Sequence, residues 1–196
     1  MPFKDYKLLE TITHTVQKSI PYYHPESMDV ISLETRALDV FSDFHIVKPY
    51  TIHVKALIDD ALQKMQKVEV HSLLVVNNDD QIIGLINAKR LHGVYRTQVA
   101  QREGVHFKEM TSGMLMTKIN ALPVLEYDVL KDARVGHLAR LMHDQQIDHL
   151  LIQEYDKHGN AVIRGIISAS FIAKRLGASI GHDFGSRSLA ELNKII

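Results

Sequence analysis

Cysteine is absent from this chain of 196 residues. Without cysteine the protein can have no disulfides, no thiolate metal ligands and no cysteine nucleophile, and the absence fits a reducing compartment. An excess of charge of one sign is lacking too, because Lys and Arg together number 23 and Asp and Glu together number 23. A chain without surplus positive charge gives no signal for binding nucleic acid or an anionic membrane surface.

Long apolar runs are also missing. The longest are about half a dozen residues, far short of the roughly 20 that a membrane-spanning helix needs. The first residues, MPFKDYKLLETITH, contain no apolar segment of the kind found in secretory signals. Apolar residues still make up 45% of the chain, and its length suits one domain or two small ones. We therefore expect a globular protein of the cytoplasm with no membrane segment.

What the chain does contain is an internal repeat. The segment ALIDDALQKMQKVEVHSLLVV at 56–76 aligns with ARVGHLARLMHDQQIDHLLIQ at 133–153. The identical pairs are Ala56 with Ala133, Met65 with Met142, Leu73 with Leu150 and Leu74 with Leu151. GLINAKRLHG at 84–93 is similar to GIISASFIAKRLG at 165–177, and four additional residues precede this segment in the second copy. We place those residues at a hairpin tip, where an insertion costs least.

The two copies predict the same order of elements. In the first, helical spacing of apolar residues from Leu57 to Val68 predicts an amphipathic helix, and VHSLLVV and QIIGLIN predict a hairpin. A second helix begins near Ala88. The second copy predicts a helix over roughly 129–145, strands near 147–153 and 161–167, and a helix near 169–176. Extended segments, KPYTIHV and INALPVL, precede the copies. The fold class is α/β, an α+β sandwich whose two copies share a core.

Three flanking segments are less regular. MDVISL at 28–33 predicts a strand, and 94–113 predicts a helix as far as about Met110 that breaks at TSG. The C-terminal SLAELNKII has a capping box of Ser188 and Glu191 and an apolar face. Such a face predicts docking, either on the protein's own body or on a partner.

With these residues aligned, the sequence resembles a tandem pair of CBS modules, the regulatory unit named after cystathionine beta-synthase. The resemblance covers roughly 36–177 and is greatest to stand-alone bacterial pairs. It implies a pseudo-symmetric pair of β-α-β-β-α modules, a homodimer and a non-enzymatic regulatory role. The implied organisation is an N-terminal flank at 1–35, module 1 at 36–95, a helical linker at 96–113, module 2 at 114–177 and a C-terminal tail at 178–196.

The family's ligand signature is a glycine, two aliphatic residues, Thr or Ser, two variable residues and Asp. In that signature the glycine lets the backbone approach the ligand, the hydroxyl contacts a phosphate and the carboxylate accepts both ribose hydroxyls. The matching positions hold Gly84, Asn87 and Arg90 in the first copy and Gly165, Ser168 and Phe171 in the second.

The ribose-reading carboxylate is therefore missing from both copies. Arg offers only donors and Phe offers neither donors nor acceptors, so neither can accept from a diol. Loss of a charge-assisted hydrogen bond costs roughly 1.5–3 kcal/mol, on the order of ten- to a hundredfold in affinity. The second copy, with Ser168 kept and Phe171 able to stack, predicts the better pocket. Arg90 could bind a phosphate or fold inward and plug the cavity, and we favour the plug.

Further candidates lie beside the predicted cleft. They are His71, Ser72, Asp148, His149, Leu150, Thr51 and Ile52. For the polar members, a locally satisfied structural role explains the pattern as well as a ligand contact does. One function hypothesis is sensing of AMP, ADP, ATP or S-adenosylmethionine, with no cofactor certain. The alternative is a degenerate pair with closed sites that serves as a dimerisation or protein-interaction scaffold for an unidentified partner.

Metal and catalytic chemistry find little support. HDQQIDH at 143–149 gathers four potential ligands, but it spans a predicted helix end and strand start, so the side chains should diverge. Neither a His-x-x-x-His nor a His-Glu-x-x-His spacing occurs among the twelve histidines, so we predict no metal site. Without a Gly-x-Ser-x-Gly elbow or a phosphate loop, we also predict that the protein is not an enzyme.

Overall fold

The computed structural model describes residues 31–176, which form two four-stranded sheets with helices packed against them. The first sheet has the order β2-β3-β4-β5, with β2 at Thr51–His53, β3 at Ser72–Val76, β4 at Ile82–Asn87 and β5 at Thr117–Lys118. The second has the order β1-β8-β7-β6, with β1 at Ser42–Asp43, β6 at Val124–Glu126, β7 at His149–Tyr155 and β8 at Ala161–Ser168. The mixed α/β class predicted from the sequence is confirmed.

The helices divide between the two sheets. Those on the first sheet are α1 (Ile58–Lys67), α2 (Ala88–Leu91), α3 (Val94–Glu103) and α4 (Ser112–Leu115), and those on the second are α5 (Tyr127–Asp132), α6 (Val135–Asp144) and α7 (Ala169–Arg175). Short 3-10 turns lie at Ala37–Val40, Phe107–Glu109 and Ile119–Ala121. The units α1-β3-β4-α2 and α6-β7-β8-α7 are the two copies of the sequence repeat.

The hairpins of the two copies differ in strand length. Residues 77–81 and 156–160 form turns of equal length, whereas β7 has 7 residues against 5 in β3, and β8 has 8 against 6 in β4. The four additional residues therefore lie at the tip end of the hairpin, as predicted, where they lengthen both strands and leave the length of the turn unchanged. Extension is possible because each added residue gains a cross-strand partner, as in the pairing of Tyr155 with Ala161.

Several predicted boundaries need correction. The helix predicted over 129–145 is two helices, because Ala133 between α5 and α6 has an extended backbone. The linker helix ends before Met110, at Glu103, where Gly104 takes a left-handed conformation. The predicted break at TSG is the start of α4. Residues 31–33 of the predicted strand MDVISL are not in a strand, and the C-terminal segment SLAELNKII lies outside the described residues.

Strands β1 and β5, which come before β2 and β6 in the chain, are the leading strands of the two copies. Each of them joins the sheet of the other copy. Strand β1 pairs antiparallel with β8, and β5 pairs antiparallel with β4. The residues just before β1 and β5 pack in the same half as the strand they precede. Ala37 and Val40 belong to the core of the second half, and Met110 and Leu115 belong to the core of the first. The first half is thus residues 51–118, and the second is residues 31–43 together with residues 124–176.

A third apolar cluster joins the two sheets. Its buried members are Leu74 and Leu85 from the first sheet and Leu151 from the second. Partly buried Ile119 and Leu122, from the segment that crosses from β5 to β6, pack against it. Since apolar burial is the dominant favourable term in packing, this cluster fixes the two halves against each other.

The repeat glycines lie where the exchanged strands pass closest. Gly165 faces Asp43 of β1 across the sheet, and Gly84 faces Lys118 of β5. A Cβ atom on Gly165 would overlap the Phe41 ring and the Ser42 carbonyl oxygen, and one on Gly84 would lie 2.5 Å from the Thr117 carbonyl oxygen. Close approach of a neighbouring strand, not of a ligand, therefore explains why these positions are glycine.

An ion-pair network holds β1 in place. Arg164, the bulged residue of β8, donates from Nη2 to Asp43 Oδ2 at 3.0 Å and from Nη1 to Glu154 Oε2 at 2.7 Å. Its guanidinium also lies 3.8 Å from the centre of the Tyr127 ring. Burial by itself raises the pKa of Asp43, but the hydrogen bond from Arg164, the hydrogen bond from the His45 backbone N–H and the charge of Arg164 together lower it below its ordinary value of 3.8.

We expect Gly165→Ala to lower the free energy of unfolding by about 1–3 kcal/mol, because the new Cβ displaces β1. Chemical denaturation measures this change. The control is Ser42→Ala on the opposing strand, where the side chain is exposed and the expected change is within about 0.5 kcal/mol. Equal stability of the Gly165→Ala variant and the wild type would show that the strands are not in close contact.

We expect Arg164→Met to destabilise the protein by about 1–3 kcal/mol at neutral pH, because Asp43 and Glu154 lose their shared donor. Because Arg164 lowers the pKa of Asp43 in the folded state, its stabilisation is present above pH 3.8 and is lost as the pH falls through the lowered value. Denaturation curves at pH 7 and pH 3 should thus show a difference that shrinks with acidity. Arg140→Met, which breaks an exposed pair with Asp144, is the control and should change stability little at either pH.

Candidate ligand-binding cleft

A cleft of about 1200 Å³ lies between the two halves. Both sheets contribute the ends of their hairpin strands, and the segment that crosses from β1 to β2 contributes another wall. Seven of the residues that line the cleft are candidates from the sequence, namely His71, Ser72, Asn87, Asp148, His149, Ser168 and Phe171. The fold therefore brings together residues that are up to 100 positions apart in the chain.

The other five candidates do not line the cleft. Leu150 is only 1% exposed and belongs to the core of the second half. Gly165 is covered by β1, and Thr51 and Ile52 lie in β2, which pairs in parallel with β3. Arg90, the fifth, has its guanidinium at Thr117 and Tyr95, neither of which lines the cleft.

The two hairpins present equivalent pairs of residues to the cleft. Ser72 is opposite Asn87 in the first sheet, and His149 is opposite Ser168 in the second. Just outside each pair, the backbone N–H of Ala88 donates to the His71 carbonyl at 2.8 Å, and that of Ala169 donates to the Asp148 carbonyl at 3.0 Å. The cleft thus has a matching set of positions on each side, filled by different side chains.

In the first half, the side chains at the signature positions bond to other residues of the same half. Asn87 Oδ1 accepts from the backbone N–H of Arg90 at 3.0 Å and caps α2. The Arg90 guanidinium donates to Thr117 Oγ1 and lies 4.2 Å from the centre of the Tyr95 ring. Neither Thr117 nor Tyr95 lines the cleft. The plug that we favoured for Arg90 is therefore wrong, and this orientation does not place it to bind a phosphate in the cleft either.

The second half keeps its signature side chains available. Ser168 Oγ lies 2.8 Å from Ser170 Oγ, so two hydroxyl groups are side by side, and Ser168 makes no capping hydrogen bond to α7. Phe171, at the position of the missing acid, is 43% exposed, with Arg175 5.7 Å from its ring centre. A hydroxyl pair beside an open aromatic ring can bind a polar group and stack a planar one.

Charged side chains surround the opening of the cleft. Lys48, Lys89 and Lys174 are exposed at its edge, and the carboxylates are Glu69 and Asp148. Within residues 31–176, none of these five side chains makes a hydrogen bond or ion pair. The lysines give the cleft an excess of positive charge, which favours an anionic ligand.

His149 lines the cleft, and it is half-buried there. Desolvation lowers the pKa of its imidazole below 6.5, and the charge of Asp148 opposes that change only in part. The ring is therefore neutral at physiological pH and offers one donor and one acceptor to the cleft.

Some lining residues were not predicted from the sequence. Lys48, Pro49 and Tyr50 come from the crossing segment, Lys89 comes from α2, and Ser170 and Lys174 come from the first and last turns of α7. Two of these lining residues could have been found from the repeat, because Lys89 and Ser170 are equivalent positions two residues after Asn87 and Ser168.

The histidine-rich stretch 143–149 is divided between two sites. His143 Nδ1 lies 3.0 Å from Asp144 Oδ1 at the end of α6, whereas Asp148 and His149 line the cleft. The part of the chain that the structure describes contains no group of three or more potential metal ligands. None of its helices has the length and apolar character needed to span a bilayer.

These features define a class, a mixed α/β protein built from two similar halves that share one cleft. Residues 41–95 match the family model of the CBS domain. The chain therefore contains a CBS domain over residues 41–95, and its two four-stranded sheets are consistent with a pair of CBS modules. No curated protein matches the chain significantly.

Several solved structures are similar to this chain, and the first described here has its fold. An uncharacterized conserved protein from Pyrococcus horikoshii has a TM-score of 0.51 at 17% identity, covering 78% of this chain and 100% of its own. The CBS domain pair of protein MJ0100, in complex with 5′-methylthioadenosine and S-adenosyl-L-methionine, has a TM-score of 0.49 at 20% identity, covering 73% and 96%. CBSX2 in complex with AMP has a TM-score of 0.48 at 17% identity, covering 71% and 94%.

The lowered pKa of His149 predicts a pH dependence of stability. The unfolded chain takes up a proton near pH 6.5 while folded His149 stays neutral, so stability falls as the pH drops from 6.5 towards the folded pKa. One such group changes the free energy of unfolding by at most about 1.4 kcal/mol per pH unit. His149→Gln should flatten this dependence, measured by denaturation between pH 7.5 and 5.

The control for this experiment is His158→Gln, at the exposed turn between β7 and β8. That variant should keep the wild-type dependence on pH. If His149→Gln also keeps it, the His149 ring is not desolvated and its pKa is not lowered by burial.

Proposed function

We propose that this protein is a non-enzymatic regulatory module of the cytoplasm that binds an adenine nucleotide, or a related anionic ligand, in the cleft. The observation that carries the proposal is the pair of neighbouring hydroxyls of Ser168 and Ser170, open to the cleft beside Lys174. Hydroxyls and an ammonium group are suitable donors for a phosphate.

The planar part of the ligand has a suitable neighbour in the same half. Phe171 exposes its ring to the cleft and can stack on a base. Neutral His149, opposite Ser168, can donate to or accept from the ligand without adding charge. The second half therefore forms the working site in this proposal, and the first half, where Asn87 and Arg90 are engaged, does not.

The probes come from the ligands of CBS proteins of known structure. AMP is bound by CBSX2, and S-adenosyl-L-methionine is bound by the domain pair of MJ0100. Both proteins are distant from this chain, so these molecules are choices for a screen and not evidence for its ligand.

The alternative function is a scaffold with closed sites that dimerises or binds another protein. The engagement of Asn87 as a helix cap and of Arg90 with Thr117 favours it for the first half. A homodimer, implied by the family resemblance, is part of both proposals, and sedimentation velocity tests it.

A thermal-shift panel separates the two functions. The panel consists of AMP, ADP, ATP, S-adenosylmethionine, NAD and a diadenosine polyphosphate, each at millimolar concentration. A ligand at a hundred times its dissociation constant stabilises the folded state by about 2.7 kcal/mol. The absence of any shift in Tm would overturn nucleotide binding and leave the scaffold.

The variants Ser168→Ala and Asn87→Ala locate the site for whichever probe binds. Ser168→Ala removes a hydrogen bond to a charged group and should weaken binding roughly ten- to a hundredfold. Asn87→Ala removes a helix cap, so it lowers Tm without ligand but should leave the ligand-induced shift nearly unchanged. Stronger weakening by Asn87→Ala would place the ligand in the first half.

A further inference from the structure

The signature acid is missing from the cleft, but carboxylates are not. Among residues 31–176, the acidic residues that line the cleft are Asp148 and Glu69. Glu69 belongs to the first half, where it follows the end of α1. Asp148 belongs to the second half, where it directly precedes β7.

The backbone places Asp148 beside the hydroxyl pair. Its carbonyl accepts from the N–H of Ala169 at 3.0 Å, and the next residue, His149, is the cross-strand partner of Ser168. Asp148 therefore lies about one strand spacing, ~5 Å, from the chain that carries Ser168 and Ser170. Phe171 follows on the same chain.

The Asp148 side chain is also available. It is half-buried in the cleft wall and makes no hydrogen bond or ion pair with any residue of the described range 31–176. Two other aspartates of the second half do have such partners, Asp43 in Arg164 and Asp156 in the backbone of its own turn. A carboxylate that makes no hydrogen bond to residues 31–176 and lies in a partly desolvated wall gains free energy when a ligand supplies a donor.

We propose that Asp148 is the specificity-determining acceptor for a pair of neighbouring hydroxyls on the ligand. The signature acid would bind the ribose hydroxyls from helix α7, and Asp148 binds them from the residue before β7. The ionised carboxylate has two oxygens and can accept from both hydroxyls of a ribose whose phosphate is bound at Ser168 and Ser170. The proposal rests on nucleotide binding in the second half, and it narrows the ligand class to phosphorylated ribosides as against deoxyribosides.

The test compares AMP with 2′-deoxy-AMP by titration calorimetry on the full-length protein. Wild type should bind AMP at least about tenfold more tightly, because the deoxy compound lacks one hydrogen bond to a charged acceptor. In Asp148→Ala the AMP affinity should fall, and the ratio of the two dissociation constants should approach one. Asp148→Asn keeps the shape of the side chain and should also reduce the ratio.

The matched control is Glu69→Ala, which removes the other carboxylate of the cleft and should leave the ratio at its wild-type value. AMP binding with an unchanged ratio in Asp148→Ala would overturn the role of Asp148 while nucleotide binding stands. A ratio of one in the wild type, or a loss of the preference in Glu69→Ala alone, would overturn it as well. If the wild type binds neither nucleotide, the proposed ligand class falls together with the role of Asp148.

Discussion

The structure depends on the close passage of one backbone over another at Gly84 and Gly165. At each glycine the leading strand of the other repeat crosses without room for a Cβ atom. This contact makes each sheet a joint product of both repeats, because β5 completes the first sheet and β1 completes the second. Neither half can then separate without breaking strand pairing, and the cleft keeps a defined shape between them.

The exchange also explains why the two sides of the cleft differ. The chain must cross between the halves twice, at 44–50 and at 119–123. The first crossing lines the cleft through Phe44 and residues 47–50. The second packs Ile119 and Leu122 into the cluster between the sheets. Arg164 holds the start of the first crossing, so the cleft wall is anchored at one end by an ion pair of the second half.

The repeat, the two hairpins and the main helices could be predicted from the sequence, because each has apolar residues at a period of two or of 3.6. Helix α1 is the clear case, with Ile58, Ala61 and Met65 on its buried face. Strands β1 and β5 could not be predicted in this way. Each has only 2 residues, Ser42–Asp43 and Thr117–Lys118, which is too short for any period, and both are defined by pairing with distant residues.

The candidate site was predictable in position but not in side-chain orientation. The repeat located Asn87 and Ser168 at equivalent strand ends, and the structure places both in the cleft. The orientation of Arg90 depends on Thr117, 27 residues away, on a strand that the sequence did not reveal. Rotamer choice at such a position is decided by tertiary partners, which no local pattern contains.

The substitutions at the two signature positions have opposite consequences for the cleft, for one physical reason. Arg90 has a hydrogen-bond acceptor and an aromatic ring within reach, so its charge is satisfied inside the first half and the side chain leaves the cleft. Phe171 belongs to the cleft lining and keeps 43% of its surface exposed there. An exposed ring beside the Ser168–Ser170 hydroxyl pair, and beside a carboxylate with no hydrogen bond to residues 31–176, is a surface that gains free energy when it is covered. The same missing acid therefore goes with a first half whose side chains bond to one another and a second half whose hydroxyls and aromatic ring face the cleft.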